Sequence, residues 1–256
     1  MKRLWAGCKI AFSMYSKIPM PKTDWSKENM RYALCFFPWV GAVIGALVWC
    51  FGVFISPHGL TNLFSACILT LIPVFVTGGI HLDGFLDTMD ALSSYQEQER
   101  KLEILKDSHA GAFAIISGIV YFVLQLGVYS QMKTDSFAVA AWVFVFSRSL
   151  SGLSLVTFPM AKNTGLAAMF SDGAQKKKVR LTMIFYLAIC VGMMLWFDVL
   201  KGTAAILTGA LVFVYYYRMS KKEFGGITGD LAGYFLQMCE LLMLSAIVLT
   251  EWAVAL

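Results

Sequence analysis

Polar residues are scarce along this chain, and they are gathered rather than scattered. Runs of 16 to 23 mostly apolar residues recur at 33–55, 62–80, 110–132, 137–158, 181–198, 202–217 and 231–250. A helix needs about 20 such residues to cross the hydrocarbon core of a bilayer. The pattern therefore predicts an all-α, polytopic membrane bundle of about seven transmembrane helices. The fifth and sixth runs are short, and only "DVLKG" separates them, which predicts a tight hairpin or incomplete crossings. The first residues follow another pattern. Wound as a helix, Leu4, Trp5, Cys8, Ala11, Phe12 and Tyr15 share one face, while Lys2, Lys9, Ser13, Ser16 and Lys17 lie opposite. That is the arrangement of a helix lying in the membrane interface, or of a plain amphipathic lead-in to the first span.

Composition agrees with the pattern. Apolar residues make up 58% of the chain and charged residues 14%, against about 25% charged in ordinary soluble domains, too few to cover a soluble surface. No repeat or low-complexity linker divides the sequence, so residues 1–256 read as one membrane-embedded domain. The net charge of +5 reflects loop residues that set orientation, with no sign of nucleic-acid binding. If odd-numbered spans run outward, 18 of the 21 Lys and Arg residues fall on one side, only Lys133 and Lys201 fall on the other, and Arg148 lies within a span. By the positive-inside rule the crowded side is cytoplasmic. The six cysteines have neither paired nor metal-type spacing and mostly sit in apolar runs, where they behave as small hydrophobes.

One loop on the cytoplasmic side carries the clearest chemistry. In "GGIHLDGFLDTMDAL", Asp83, Asp87 and Asp90 fall within an arc of roughly 60° on a helix. Leu82, Phe85, Leu86 and Met89 form an adjacent packing face, and the small Gly84 and Ala91 lie with Thr88 on the other side. Three carboxylates this close repel one another unless a cation or a raised pKa relieves them. Hard oxygen donors without cysteine suit Mg²⁺, Mn²⁺ or Ca²⁺ better than zinc. Asp83 and Asp87 are the expected metal ligands, with Asp90 as a third ligand or as the base. His81 points away from the stripe, which favours a structural or substrate-contacting role over metal binding.

Three further segments lie on the same side: "ILKDSHAGAFAI" with Asp107 and Ser108, "FPMAKNTGLAAMF" with Lys162 and Asn163, and "EFGGITGDLAG" with Gly226, Thr228, Gly229 and Asp230. Glycines admit close approach of phosphate to backbone N–H groups, and a helix N-terminus favours anions. These residues are the expected substrate contacts, with Asp107 and Asp230 also candidates for metal. Within the spans, Arg148 and Glu240 are costly in lipid and are expected to pair, or to bind substrate, with Arg148 reaching its phosphate.

Taken together, the motifs resemble those of the cobalamin synthase (adenosylcobinamide-GDP ribazoletransferase) family. The resemblance runs from "FSMYSKIPMP" and "ALCFFPWVGAVIG" through "GGIHLDGFLDTMDAL" and "LKDSHAGAFAI" to "GGITGDLAG". His109 and Lys162 stand where that family often has arginine. The resemblance implies an Mg²⁺-dependent enzyme in the cytoplasmic (inner) membrane of a bacterium or archaeon. In its reaction a hydroxyl of α-ribazole, or of α-ribazole 5′-phosphate, attacks adenosylcobinamide-GDP, and GMP leaves. Its partners would be those two substrates and the lipid bilayer, and assembly into oligomers is compatible with the sequence. Two other classes compete. A CDP-alcohol phosphatidyltransferase would need an arginine shortly after Asp83-Gly84, where this chain has Phe-Leu-Asp-Thr. A cation transporter would favour carboxylates deep in several spans and duplicated halves.

Overall fold

The computed structural model describes residues 2–107, 109–162 and 165–255. Among these the backbone is helical apart from turns, loops and one parallel β-bridge, between Met160 and Ile227. Six helices are long and apolar enough to cross a membrane, and a bent pair taken as one span makes a seventh crossing. The all-α bundle expected from hydropathy is present.

Helix α1 (Lys2–Tyr15) buries Ala6, Gly7, Ile10, Ala11 and Phe12 and leaves Leu4 and Trp5 exposed. Its protein-facing edge is thus rotated from the face marked by the largest apolar residues. Gly7 lets α1 approach the backbone at Tyr32 and Ala33, where the 3-10 turn Ala33–Phe36 begins, while Ile10 and Phe12 enter the core and only Leu4 and Trp5 of its large apolar residues stay exposed. The backbone N–H of Lys17 then donates to Val76 O at 2.7 Å, so the end of α1 is tied into the bundle. The first crossing spans Lys27–Ile55. It is assembled from α2 (Lys27–Met30), the 3-10 turn, α3 (Phe37–Cys50) and a π-helical turn at Phe51–Ile55.

The second crossing is broken. Helix α4 (Asn62–Thr77) stops at Gly78 and Gly79, whose φ values of 67° and 80° suit glycine and few other residues. The chain there turns by 97° into α5 (Ile80–Ser93), three residues before the expected end of the span at 80. After α6 (Gln98–Ile104) come α7 (Ala112–Gln131), α8 (Phe137–Thr157), α9 (Leu166–Gly173), α10 (Lys176–Phe197), α11 (Val199–Phe224) and α12 (Gly229–Ala255).

The expectation of short fifth and sixth spans is corrected. Helices α10 and α11 have 22 and 26 residues, and Asp198 alone separates them. A hydropathy count stops at charged residues, whereas a helix can continue into water with its backbone bonds intact. Lys176–Arg180 therefore belong to α10, and Arg218–Phe224 to α11. The "DVLKG" segment is no loop: Asp198 caps α11 by accepting from Lys201 N at 2.9 Å.

Helices α8 and α12 form the centre, with 83% and 78% of their most apolar windows buried, against 22% for α7 and α10. The central pair carries the ionisable residues, which cannot face lipid. Arg148 Nη1 lies 2.6 Å from Glu240 Oε1, both side chains are almost fully buried, and Ser147 donates to the same carboxylate oxygen at 2.8 Å. The expected pairing across the bundle is present. Helix α3 packs closely on α8 because Gly41 and Gly45 lack side chains: a Cβ at either would stand 2.2 Å from the carbonyl oxygen of Phe144 or Ala141.

Candidate active site

The acidic stripe meets the glycine-rich segment where α5 crosses α12. A Cβ on Gly84 would lie 2.7 Å from Asp230 O, and one on Gly233 would lie 2.7 Å from His81 O. Only glycine allows this separation. The crossing places Asp83 and Asp87, on α5, beside Asp230 in the first turn of α12. Thr228 caps α12 by accepting from Leu231 N at 3.2 Å, and its hydroxyl is 3.5 Å from Asp230 Oδ2. Among the described residues, no Lys, Arg or His lies within 4.0 Å of the carboxylates of Asp83, Asp87 or Asp230.

The third stripe residue has other partners. Asp90 accepts from Gly111 N at 2.5 Å through one oxygen and from Ala114 N at 2.8 Å through the other. It caps α7 and joins it to α5. A Cβ on Gly111 would stand 2.4 Å from Asp90 Oδ2, so this glycine serves the cap. Among the described residues, no three His, Cys, Asp or Glu side chains are grouped so as to hold one ion. The arc that placed all three aspartates together on α5 could not anticipate the N-terminus of α7 beside the last of them.

Asp83 and Asp230 line a cavity of about 480 Å³, together with Lys106, Lys162, Thr228 and Gly229. The β-bridge brings the basic side to the acidic one. Ala161 N donates to Ile227 O, and Ile227 N to Pro159 O, both at 2.9 Å. Lys162 also donates to Leu102 O at 3.3 Å, placing it over the end of α6. Burial first, and the neighbouring Lys106 ammonium second, lower the pKa of Lys162 from its ordinary value. Among the described residues neither lysine has a carboxylate partner within 4.0 Å.

Several expected contacts lie elsewhere. The N–H of Gly226 donates to Ser220 O at 3.1 Å, and a Cβ there would meet Ala161 N at 2.5 Å. Gly226 therefore makes room for the bridge and does not present its N–H to a ligand. Asp107 is exposed and bonded to His109, whose backbone N–H and ring nitrogen lie 3.0 and 2.7 Å from Asp107 Oδ1. These bonds hold the Asp107 pKa below its ordinary value, and Asp107 is not among the cavity residues. Arg148 and Glu240 lie beneath the cavity, bonded to each other. Ser108 and Asn163 lie outside the described residues. Sequence reasoning missed Lys106, although it stands next to Asp107 in the same motif, and it missed Tyr15, Phe37 and Ser151, which also line the cavity. No local pattern marks those three.

The sequence profile of cobalamin-5-phosphate synthase matches residues 7–248. The chain belongs to that family. It is a transferase of cobalamin biosynthesis, as the motif resemblance implied, and family membership sets aside the phosphatidyltransferase and transporter alternatives. Among its relatives, the adenosylcobinamide-GDP ribazoletransferase of Lachnoclostridium phytofermentans is 49% identical over 253 residues, covering 98% of this chain and 95% of the relative. Proteins of the same name from Clostridium perfringens (strain 13) and a Geobacillus species are 31% and 32% identical. Each alignment covers 94% of this chain, with 96% of the first and 94% of the second. No solved structure matches.

Proposed function

We propose that the enzyme transfers the cobinamide phosphate of adenosylcobinamide-GDP to a hydroxyl of α-ribazole or its 5′-phosphate, and that it requires Mg²⁺. The observation that carries this reading is the uncompensated charge lining one cavity, the carboxylates of Asp83 and Asp230 together with Lys106 and Lys162. A diphosphate with a divalent cation complements both. Mg²⁺ commonly takes only one or two carboxylates and completes its shell with water and substrate phosphate. The hard donors Asp83 and Asp87, with Asp230 beside them, fit that habit without a three-residue cage. When bound there, the ion would neutralise charge building up on the reacting phosphate.

The chain's own groups do the positioning on which phosphoryl transfer depends. Lys106 and Lys162 draw the diphosphate to the basic side, and the start of α12 at Thr228–Gly229 favours the same anion. The acceptor hydroxyl attacks the cobinamide-side phosphorus, the P–O bond to GMP breaks, and a carboxylate of the acidic cluster takes the hydroxyl proton. Asp90 acts through α7, as a positioning residue. The charge asymmetry of the loops supports a cavity open to the cytoplasm.

The test incubates purified protein with adenosylcobinamide-GDP, α-ribazole and Mg²⁺ while GMP and the cobalamin product are quantified. Equimolar formation of both, abolished by a chelator and restored by Mg²⁺, is expected. No GMP release with either form of the acceptor would overturn the reading.

A further inference from the structure

The inner end of the cavity differs from its rim. Asp83, Lys106 and Gly229 at the rim are exposed, whereas Phe37, His81, Ser151, Leu155 and Leu236 are buried. His81 is 5% exposed and Ser151 1%, yet among the described residues His81 Nε2 and Ser151 Oγ have no hydrogen-bond partner. Of the four serines on its helix, Ser151 alone lacks a partner among the described residues. Along the same helix Ser147, Ser149 and Ser154 each donate to a backbone carbonyl three or four residues back. Leaving a buried polar atom unpaired costs about 1–3 kcal/mol, so two on one cavity wall point to a ligand that supplies the missing partners.

The surroundings define that ligand. The rings of Tyr15 and His81 stack with centroids 6.1 Å apart, and Phe37 meets His81 edge-on at 5.8 Å. The three rings, tilted against one another, make with Leu155 and Leu236 an aromatic and apolar lining that can meet another ring by its face or its edge. No Lys, Arg, Asp or Glu belongs to this buried set, and Arg148 one turn below is already paired with Glu240, so the inner end suits an uncharged ring better than a phosphate. Guanine presents a carbonyl, a ring N–H and an amino group along one edge, more than two polar atoms can satisfy. A ring system with a single free nitrogen presents one acceptor, which the Ser151 hydroxyl and a His81 Nε2–H can share as donors in a three-centre bond.

We infer that the inner end of the cavity seats the heteroaromatic base of the acceptor nucleoside, with Ser151 Oγ and His81 Nε2 hydrogen-bonding at its free ring nitrogen. This rests on the transferase reading above and adds base selection to it. Ser151 is presented from a rigid helix, because the Arg148–Glu240 pair one turn below anchors α8 to α12. Tyr15 closes the inner end from α1, which gives the N-terminal helix a part in acceptor binding.

The test compares the full-length enzyme with Ser151→Ala and His81→Phe, using a benzimidazole riboside and a phenyl riboside that lacks the ring nitrogen. Binding of each free riboside is measured calorimetrically, apart from turnover. Each variant should bind the benzimidazole riboside about tenfold more weakly, the loss of one hydrogen bond. The preference for benzimidazole over phenyl should shrink by the same factor, and the KM for the GDP-bearing donor should stay as it is. His81→Gln, which keeps a polar side chain, should recover part of the preference. Equal losses for both ribosides, or a raised donor KM, would overturn the inference. Ser151→Ala adds no bulk and keeps the test valid should His81→Phe fail to fold. The two readings fail separately: absence of GMP release from the unsubstituted enzyme defeats the transferase assignment, whereas turnover with base preference unmoved by either variant defeats only the inference.

Discussion

Three acids mark the length of α12, and the chain treats them differently. Glu251, near one end, lies 3.9 Å from Lys201, which also bonds Asp135 at 2.7 Å and Asp198 at 3.4 Å, and Ser136 donates to Glu251 as well. Glu240, about 15 Å further along the helix, has Arg148 and Ser147. Asp230, about 15 Å beyond that, has no cation within 4.0 Å among the described residues and instead lies near Asp83 and Asp87. Where a charge serves only the bundle, it is matched within the chain. Where charges of one sign are left together, they repel, and a cation from outside or a raised pKa relieves them. The contrast separates site from scaffold without reference to any relative.

Each acid offers a way to break that comparison. The largest effect belongs to the matched pair in the middle. Arg148→Met leaves Glu240 buried without its cation and should destabilise the protein by about 3–5 kcal/mol, whereas Arg148→Met combined with Glu240→Leu should recover most of the loss. Thermal unfolding in detergent reads both. If Arg148 served substrate phosphate instead, the single variant would keep its stability and the double variant would gain nothing.

At the unmatched end the outcome should reverse. Asp83→Asn or Asp87→Asn should lower kcat by at least about 100-fold, as loss of a transition-state charge stabiliser does. Metal-free stability should hold or rise, because a mutual repulsion is removed. Near-normal GMP release in both variants would make the stripe a solvated helix face. Asp90→Asn should behave otherwise, loosening α7 against α5 and lowering stability by about 1 kcal/mol, typical of a lost helix cap.

The basic side should give a smaller effect. Lys106→Ala or Lys162→Ala removes one charged hydrogen-bond donor from the rim and should raise the donor KM about tenfold, with acceptor KM little changed. The smallest effect is one of pH. Because burial and Lys106 lower the Lys162 pKa, its ammonium is lost earlier as pH rises, and donor KM should climb on the alkaline side. Lys162→Arg, protonated throughout, should push that limb to higher pH while leaving KM at pH 7 close to its starting value. An alkaline limb that does not move would remove Lys162 from the phosphate contacts.

Much of this was legible in the residues, for reasons of unequal strength. The crossings could be read because lipid tolerates little besides apolar helix. The Arg148–Glu240 pairing followed from the cost of burying either charge alone. Asp83, Asp87 and Asp230 were legible as acids at a membrane edge. The cap role of Asp90 was not, because it depends on where the start of α7 lies in space. The same holds for Lys106, Tyr15 and Ser151, which share the cavity wall while lying on three separate segments. Periodicity places a residue on the face of its own helix and says nothing of which other helix comes to meet it.

The Met160–Ile227 bridge has a consequence for how the enzyme is made. Its two strands of backbone stand in sequence on either side of α9, α10 and α11, so they cannot meet until that whole stretch, with the two spans α10 and α11, has been made. The aspartates of α5 and the lysines at 106 and 162 are synthesised early, but Asp230 and the glycine turn arrive with the last helix. A chain still in synthesis carries half of the cavity and no means of closing it. The cavity is therefore completed late and all at once, with the insertion of α12.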